Sequence, residues 1–527
     1  MVGDTSLREV VRDTTIGGCL RASAAEAPRA IALVDGDADY GARRRWSYGE
    51  LLDTAERVAG ALTTHFDPGA RIAVWAPTRP ESLVLTYATA LAGMVLVPVN
   101  PALHAEEARH VLASSRAAGV FVQREHRGQD LPAELALIRD ALPDLRAQID
   151  FDDFDDFAAG GHAGASLPTV APDDVAQIVF TSGTTGAPKG ARLTHRSLTN
   201  AARVAAERFG IREGDVYANP LPLFYVGGQG VALEIAQQRA IYVMLGTFEP
   251  GALLDLFETE RATLTVAVPT VLVALLEHPS LPTRDLRALR SVSSGGSVVP
   301  AELVRRVGRE IGASVTIVFG MTECSGFVSQ TLLDDTPEDI EQTIGPPLPG
   351  VEVRVVDPDD ATDVDPGTVG ELLVRGYNVM AGYYDDDAAT DGAFAPGGWL
   401  HTGDLVAADE RGYLRIMGRC KDLVVTGAEN VYPAEVEAVL HTHPTVGDVA
   451  VIGLPDERWG ERVTAVVRAA PGVEVDTEAL EAFARERLAR HKVPRRWIVV
   501  DDLPRTASGK VQKHVLRGQL SAPEATP

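Results

Sequence analysis

The stretch Val175-Ala-Gln-Ile-Val-Phe-Thr-Ser-Gly-Thr-Thr-Gly-Ala-Pro-Lys-Gly190 joins an apolar segment, typical of a buried strand, to a loop of small and hydroxylated residues. Glycine permits positive φ angles and close backbone approach, so successive N–H groups of such a loop can point at one anion. The candidate donors and turn residues are Thr181, Ser182, Gly183, Thr184, Thr185, Gly186, Lys189 and Gly190. This combination of amides, hydroxyls and one cation suits a polyphosphate.

The loop differs from the common P-loop, in which the sequence Gly-Lys is followed by Ser or Thr. Here Lys189 is followed by Gly190 and by a strand-like stretch, residues 191–194, before the next helix begins. A flexible Gly/Thr surface loop is the alternative that these residues leave open when they are taken alone.

Strands and helices are predicted to alternate on both sides of this loop. Short runs rich in Val and Ile indicate strands, and Ala- and Leu-rich segments of helical period indicate helices, in the series 71–75, 82–91, 119–122, 263–268, 270–277 and 314–319. Such alternation predicts mainly parallel sheets covered by helices.

Beyond residue 350 the pattern changes to short strands and turns, predicted at 351–356, 370–375 and 412–417. A compact α/β pattern follows, with predicted helices at 433–441 and 477–488 and strands at 446–452, 464–468 and 497–500. We therefore predict an α/β fold with a large N-terminal domain of mainly parallel sheets flanked by helices, residues 1–419, of which 350–419 form a β-rich part. A small α/β C-terminal domain would occupy residues 420–527.

The composition excludes some functions. With 49 Lys and Arg against 74 Asp and Glu, the formal charge is −25, which argues against nucleic-acid or anionic-membrane partners. The three cysteines, Cys19, Cys324 and Cys420, show no metal or redox spacing, and the N-terminus has no apolar signal segment. A reducing, cytoplasmic location is therefore expected.

Residues 82–99 are nearly free of charge and about long enough to span a bilayer. We predict instead a buried helix that ends near Gly93 and a core strand at 94–99, because the glycine interrupts the apolar run and no basic cluster flanks it. No transmembrane segment is predicted.

The quoted loop resembles the signature of the adenylate-forming enzymes: acyl-CoA synthetases, aryl-CoA ligases, firefly luciferase and the adenylation domains of peptide synthetases. Further motifs of that superfamily follow in its order, and the resemblance spans about residues 20–515. They are Leu221-Pro-Leu-Phe-Tyr225, Ser294-Gly-Gly-Ser297, Phe319-Gly-Met-Thr-Glu323, Gly370-Glu-Leu-Leu-Val-Arg375, Trp399-Leu-His-Thr-Gly-Asp404, Gly418-Arg-Cys-Lys-Asp422, Gly427-Ala-Glu-Asn-Val-Tyr-Pro-Ala-Glu435 and Pro504-Arg-Thr-Ala-Ser-Gly-Lys510.

The resemblance implies a nucleotide site built from several of these motifs. Phe319 would stack on the purine, where the family usually has Tyr, and Glu323 would help to hold Mg²⁺ through a hard oxygen ligand. Asp404 and Arg419 would contact the ribose. The other implied ATP or AMP contacts are Thr181, Ser182, Gly183, Thr184, Thr185, Gly186, Lys189, Gly296, Ser297, Gly320, Thr322 and Lys510.

The resemblance also implies a mobile C-terminal domain. Lys510 would neutralise charge on the α-phosphate and the carboxylate during adenylation, and Thr322 and Glu323 would assist it. Lys421 matches the hinge about which the domain rotates. After that rotation, Gly427, Ala428 and Glu429 would line a tunnel for the pantetheine of CoA.

The expected acid is uncharged along its chain or ring. Amino-acid-activating relatives carry Asp at the position of Tyr225, where it pairs with the substrate ammonium, and no acid stands in the neighbouring Val226-Gly-Gly-Gln-Gly230. Tyr225, Val226 and Gly295 would therefore border a pocket for a fatty, aromatic or cyclic carboxylic acid.

The expected function is thus an AMP-forming acyl-CoA synthetase, a ligase of fatty acid metabolism that uses Mg²⁺, ATP and CoA. Its partners would be small molecules, and a homodimer is the assembly considered. Three alternatives stay open: an acyl-AMP ligase that serves a carrier protein, an enzyme for one half-reaction, and a silent nucleotide-binding scaffold.

Overall fold

The computed structural model describes residues 10–162, 166–181, 188–427, 429–456, 458–505 and 511–520. The chain divides into two compact units, one of Met1–Glu352 and Val374–Leu400 and the other of Val353–Leu373 and His401–Pro527. The α/β class with parallel sheets is confirmed. The second unit contains part of the β-rich region together with the C-terminal residues. The domain boundary predicted between residues 419 and 420 stays a prediction.

An eight-stranded sheet in the first unit carries several of the motifs. Its strands, in spatial order, are Ser329–Gln330, Ser314–Phe319, Ser291–Gly295, Leu264–Val266, Val216–Asn219, Ile241–Met244, Ile31–Asp35 and Arg45–Ser47. The six central strands are parallel, and each edge strand pairs antiparallel with its neighbour. Their carboxyl ends therefore meet along one edge, where open α/β sheets bind ligands.

A second sheet in this unit has six strands. In spatial order they are Lys189–Thr194, Val175–Thr181, Val95–Val99, Arg71–Trp75, Gly119–Val122 and Ala147–Asp150. The last five are parallel, whereas Lys189–Thr194 runs antiparallel to Val175–Thr181. The strands predicted at 175–180 and 191–194 are confirmed, and they flank the Gly/Thr/Ser loop as direct neighbours. A two-stranded hairpin, Glu125–His126 with Gln129–Asp130, lies apart from both sheets.

Helices of the first unit connect these strands. They are Ile16–Glu26, Tyr48–His65, Pro80–Leu91, Ala105–Ser114, Leu131–Ile138, Phe154–Ala159, His195–Phe209, Val226–Gln237, Pro250–Thr259, Pro269–Leu276, Ala301–Arg306, Pro337–Gln342 and Asp387–Ala393. Local chemistry fixes their ends: Thr194 accepts the Ser197 N–H at the start of one helix, and Gly210 ends it with φ 71°.

The apolar stretch at residues 82–99 has the predicted structure. Helix Pro80–Leu91 is followed by strand Val95–Val99, and every residue of the strand is buried. None of the helices within the described ranges combines the length and the apolar composition that a membrane span requires. Gly93, with φ 65°, makes the turn between helix and strand.

The β-rich region contains five strands, and the division between the two units runs through it. The strands are Val351–Val356, Val369–Gly376, Phe394–Ala395, Trp399–Ala408 and Leu414–Arg419. The last strand starts two residues later than predicted, because Asp409 accepts the N–H groups of Arg411 and Tyr413 and so holds Gly412 in a turn. It also runs on to Arg419, which pairs with Asp404 across the sheet.

The C-terminal part of the second unit is a mixed sheet covered by helices. Strands Glu429–Val431, Val424–Thr426, Gly460–Ala469 and Val446–Asp456 are neighbours in that order, and Arg496–Val500 lies parallel to Gly460–Ala469. The helices are Pro433–Leu440, Thr477–Arg487 and Lys513–Leu520. The strand predicted at 446–452 continues to Asp456 because its pairing persists past Pro455, which lies near the strand end where proline is tolerated.

Candidate active site

Two of the predicted nucleotide motifs lie side by side at the carboxyl edge of the eight-stranded sheet. Strands Ser291–Gly295 and Ser314–Phe319 are parallel neighbours, and Gly295 is in register with Val318. The residues that follow them, Gly296 and Gly320, therefore leave the sheet at the same point. Ser297 is exposed just beyond Gly296, and Phe319 is half-buried at its strand end.

Gly320 is required by its surroundings. A Cβ atom there would lie 1.9 Å from the carbonyl oxygen of Gly326 and 2.7 Å from the nitrogen of Phe327, and backbone cannot give way to that extent. Gly296 has φ 78°, a left-handed conformation that favours glycine. The chain therefore folds back tightly after Phe319, and the turn Thr322–Cys324 is held against the sheet edge.

Glu323 is buried in that turn and has a defined partner. Its Oε1 accepts a hydrogen bond of 3.0 Å from the hydroxyl of Tyr383. Burial, together with the adjacent Glu323, raises the pKa of Tyr383, so its hydroxyl stays protonated and donates. The Nζ of Lys189 lies 5.2 Å from the centre of the same ring, within cation–π range. Tyr383 thus joins two predicted site residues, Lys189 and Glu323.

Sequence reasoning missed Tyr383. Its backbone forms an antiparallel bridge with Ala191, and the neighbouring Tyr384 N–H donates to the carbonyl of Gly190 at 2.8 Å. These contacts bring a segment sixty residues after Glu323 beside the strand that leaves the Gly/Thr/Ser loop. No motif marks this segment, so only the three-dimensional pairing reveals it.

Replacing Tyr383 by phenylalanine is expected to raise the concentration of Mg²⁺ needed for half-maximal ATP–pyrophosphate exchange by about three- to tenfold, the range of one lost charge-assisted hydrogen bond. The reason is that Glu323 loses the donor that orients it toward a metal. Tyr384→Phe is the matched control, because Tyr384 contacts the Arg71 guanidinium through its ring, at 5.9 Å. An Mg²⁺ dependence of the Tyr383 variant equal to that of the control would contradict this role.

The Gly/Thr/Ser loop is described only at its ends. Thr181 and Lys189 face each other across neighbouring strands, and His110 contacts the carbonyl of Pro188 at 2.7 Å. The predicted phosphate contacts Ser182, Gly183, Thr184, Thr185 and Gly186 lie outside the described residues, and their roles stay predictions.

The predicted acyl-pocket residues lie at the start of helix Val226–Gln237. Tyr225 precedes the helix, and its hydroxyl accepts a 3.4 Å hydrogen bond from the side-chain amide of Asn100, while burial raises the pKa of Tyr225. A Cβ atom on Gly326 would lie 3.7 Å from Val226, so Val226 packs beside the turn that carries Glu323. The structure thus brings Tyr225 and Val226 to the edge that holds Glu323.

A buried glutamine connects this helix to the strand that enters the loop. The Gln229 amide donates to the Leu223 carbonyl at 2.6 Å, and its oxygen accepts from Thr86 at 3.2 Å and from Gln177 at 3.3 Å. Gln177 lies on strand Val175–Thr181. This network, which the sequence did not indicate, ties the Leu221–Tyr225 motif to the phosphate-loop strand.

In the second unit, Asp404 and Arg419 form a two-point ion pair. Arg419 donates from Nε to Oδ1 at 2.7 Å and from a terminal nitrogen to Oδ2 at 3.2 Å, across directly paired positions of two strands. Asp404 is buried. The adjacent Glu371 accepts from the Gly403 N–H at 3.1 Å and contacts His401 Nδ1 at 3.0 Å, so it fixes the turn that presents Asp404.

Lys421 lies in the short helical turn Cys420–Asp422, directly after this ion pair. Burial lowers the pKa of Lys421, and its neighbour Asp422 pairs with Arg517 at 2.8 Å. A hinge at Lys421 would therefore have to break or carry along the Asp422–Arg517 contact. The structure leaves the hinge itself a prediction.

Two of the three predicted tunnel residues are described. Gly427 has φ 61° and its N–H donates to the Trp459 carbonyl at 2.8 Å, while Glu429 begins strand Glu429–Val431 and is exposed. The indole of Trp459 lies 4.1 Å from the guanidinium carbon of Arg495. Ala428 and Lys510 lie outside the described residues.

The arrangement suits a metal that is held mainly by its substrate. Among the described residues, no group of three His, Cys, Asp or Glu side chains could hold a metal ion by itself. Glu323 is a single buried carboxylate, and Mg²⁺ commonly binds through one or two carboxylates together with phosphate oxygens and water. The donor set therefore fits Mg²⁺ bound to ATP.

Comparison with known proteins identifies the family of the chain. Residues 20–384 match the family model described as AMP-binding enzyme, and residues 435–510 match the AMP-binding enzyme C-terminal domain. The putative acyl-CoA synthetase YngI of Bacillus subtilis is 35% identical over 538 residues, covering 96% of either chain. A methyl-dioxo-octahydroindenyl-propanoyl:CoA ligase of Mycobacterium tuberculosis is 38% identical over 488 residues, covering 90% of this chain and 94% of that one.

A solved structure shows the same architecture. The crystal structure of ATP-bound MatB from Rhodopseudomonas palustris superimposes with a TM-score of 0.89 and 32% sequence identity, covering 97% of this chain and 99% of that one.

Proposed function

Since this chain belongs to the AMP-binding enzyme family and is an AMP-forming acid–CoA ligase, we propose that its acid is a hydrophobic fatty, aromatic or cyclic carboxylic acid. The acid is first activated by ATP to an acyl-adenylate, and the acyl group then passes to the thiol of CoA. ATP and CoA are thus substrates, and Mg²⁺ is proposed to accompany ATP.

One observation carries the substrate class. The position at which amino-acid-activating relatives hold a carboxylate is occupied by Tyr225, whose hydroxyl is engaged by Asn100. Val226 follows and packs beside Gly326. A substrate ammonium would find no acidic side chain in residues 225–230 and would lose its hydration, whereas a hydrocarbon chain or ring has no such charge to desolvate. The M. tuberculosis relative, whose name describes a cyclic propanoyl group, supports a cyclic acid as one member of this class.

The proposed first step is in-line attack of the carboxylate on the α-phosphorus of ATP, with pyrophosphate as the leaving group. Positioning and charge neutralisation dominate such chemistry. Glu323 and Thr322 would stand at the reacting phosphate, and bound Mg²⁺ would neutralise phosphate charge. Phe319 would cover the purine, and Lys510 would balance the developing charge at the α-phosphate.

The proposed second step is attack of the CoA thiol on the carbonyl carbon of the adenylate, which releases AMP. Rotation about Lys421 would replace Lys510 at the site by the segment from Gly427 to Glu429. Because the two steps need different faces of one small domain, a rotation between them is part of the proposal.

We also propose a cytoplasmic location. None of Cys19, Cys324 and Cys420 is in a disulfide, and the first two are buried, which is the usage expected in a reducing compartment.

ATP–pyrophosphate exchange across a panel of aliphatic, aromatic, polycyclic and amino acids, with and without CoA, tests the proposal. We expect exchange with hydrophobic acids without CoA, and acyl-CoA once CoA is added. Exchange confined to amino acids would contradict the substrate class. Transfer of radiolabelled acyl groups to a holo-carrier protein but not to CoA would favour the acyl-AMP ligase, and thioester formation only from a supplied adenylate would favour a half-reaction enzyme.

A further inference from the structure

Helix Val226–Gln237 carries a buried carboxyl group that the proposed mechanism does not use. Glu234 is only 3% exposed, and no described residue donates a hydrogen bond to its carboxyl oxygens. An isolated carboxylate is costly to bury, so burial raises the pKa of Glu234 well above its usual range and leaves the group neutral. A buried polar group without a partner calls for an explanation.

Glu234 lies on the same face of the helix as the predicted acyl-pocket residue Val226, further along the helix. It lies four and eight residues after Gly230 and Val226, so the three share one helix face. Val226 packs beside Gly326, and a Cβ on Gly230 would lie 2.6 Å from the ring of Phe327, so this face is turned toward the segment that follows Glu323. Glu234 therefore lies about 12 Å along the helix axis from Val226, deep behind the sheet edge.

The helix is also open at its first turn. A Cβ atom on Gly227 would meet one atom within 4 Å among the described residues, Leu221 Cδ1 at 3.6 Å. Gly227 stands seven residues before Glu234, which again places the two on neighbouring parts of one face. Space without a side chain thus adjoins the first turn of the helix, on the face that carries Glu234 two turns further on.

The sheet beneath the helix gives a second measure of how far Glu234 lies below the carboxyl edge of the sheet. Burial and the nearby Glu234 carboxyl raise the pKa of Tyr217, so these two side chains are close. Tyr217 lies three residues before Pro220, where strand Val216–Asn219 has ended. At the rise of a strand this is about 10 Å below the edge, in agreement with the helix estimate.

Further unpaired polar atoms lie on this face of the sheet. The strand registers put Thr316 and Gln330 on the same face of the sheet as Tyr217. Tyr217 pairs with Leu264, and Val266, two residues later and so on the same face, pairs with Ser293, which pairs with Thr316. Val318, two residues after Thr316, pairs with Gln330. Thr316 Oγ1 and Gln330 Oε1 are buried without a hydrogen-bond partner among the described atoms. They lie three and four strands from Tyr217, about 14 and 19 Å across the sheet, so they share its face but not its position.

We propose that Glu234 is a specificity-determining residue that donates a hydrogen bond to an oxygen atom, a ketone or hydroxyl, carried by the acyl group about 10 Å from its carboxylate. The proposal rests on the proposed function, since it assigns the distal end of the same acyl site. A neutral carboxylic acid has one O–H donor, which a carbonyl oxygen can accept. The substrate class is thereby narrowed to hydrophobic acids that bear one distal oxygen.

The test compares three acids in ATP–pyrophosphate exchange with the full-length enzyme: decanoate, 9-oxodecanoate and 5-oxodecanoate. The corresponding cyclohexylalkanoates replace them if the enzyme uses cyclic acids better than linear ones. The wild-type enzyme should favour the distal ketone over the parent acid by about tenfold or more in kcat/KM, the range for one buried hydrogen bond. The ketone at mid-chain should bring no such gain, since Glu234 cannot reach it.

Two variants locate the effect. Glu234→Gln keeps an N–H donor and should keep the preference, whereas Glu234→Leu should abolish it and improve the use of the parent acid. Glu277→Leu makes the same substitution at an exposed site and should leave the preference for the distal ketone unchanged. Equal kcat/KM for the three acids in the wild-type enzyme would overturn the assignment even if the leucine variant failed to fold. Exchange with hydrophobic acids would persist in that case, so the proposed function would stand, and its own failure would show as no exchange with any of them.

Discussion

Replacing Lys510 by alanine is expected to lower the rate of ATP–pyrophosphate exchange by about a hundredfold or more. In the adenylation step negative charge gathers on the α-phosphate while a second anion, the carboxylate, approaches it. A lysine ammonium placed between them stabilises the transition state more than the separated substrates, so its loss lowers the rate constant of adenylation. Lys510 lies outside the described residues, and the prediction rests on its place in the Pro504–Lys510 motif.

The second half-reaction separates this role from a general loss of structure. Thioester formation from a supplied acyl-adenylate should continue in Lys510→Ala, because that step proceeds with the lysine away from the site. Lys513→Ala is the matched control: Lys513 is three residues further on and pairs with Glu437 at 2.7 Å, so the variant removes a lysine of the same segment that has no part in the proposed chemistry. Unchanged exchange in Lys510→Ala would remove the residue from the mechanism.

The sequence was sufficient to predict the part of the site that depends on strand order. Parallel strands end at one edge, so the motifs after Ser291–Gly295 and Ser314–Phe319 had to be close once both strands were assigned, and they are neighbours. The glycine at 320 was likewise readable as part of a motif. The reason why glycine is needed there could be learned only from the folded chain: a Cβ atom would lie 1.9 Å from the Gly326 carbonyl oxygen.

Tyr383 could not be predicted for a different reason. It reaches Glu323 because its segment pairs with strand Lys189–Thr194, a contact between residues almost two hundred positions apart. Apolar period and turn chemistry report on neighbours in sequence, and they carry no information on such a pairing. The residue that links Lys189 to Glu323 is therefore invisible before the structure is known.

Glu234 shows how a local pattern can mislead. Within the segment 226–237 a single acid would ordinarily mark the solvated side of a helix, since ionisable groups are rarely fully buried. Here helix His195–Phe209 covers that side, because the Gln237 amide donates to the Thr199 carbonyl at 3.0 Å and Phe209 contacts Tyr217 of the sheet at 6.1 Å between ring centres. Burial of the acid follows from this three-layer packing, which the helical period alone does not specify.

Asp404→Asn is the second change with a large expected effect: the KM for ATP should rise by about 10- to 100-fold, with a smaller change in kcat. Arg419 donates to both carboxylate oxygens of Asp404, and a carboxylate oxygen can accept more than one hydrogen bond, so it can also accept one from a ribose hydroxyl. The amide keeps the size of the side chain but has one accepting oxygen and no charge. The loss should therefore appear in nucleotide binding.

The choice of nucleotide makes the test specific. Wild-type enzyme should prefer ATP over its 2′,3′-dideoxy analogue, because the analogue leaves the buried Asp404 without its hydroxyl partners, and Asp404→Asn should lose most of this preference. Asp409→Asn is the control, since Asp409 accepts from the Arg411 and Tyr413 N–H groups in an outlying turn. If Asp404→Asn discriminated between the two nucleotides as the wild-type enzyme does, the carboxylate would serve only to hold Arg419, and the ribose contact would have to be sought elsewhere.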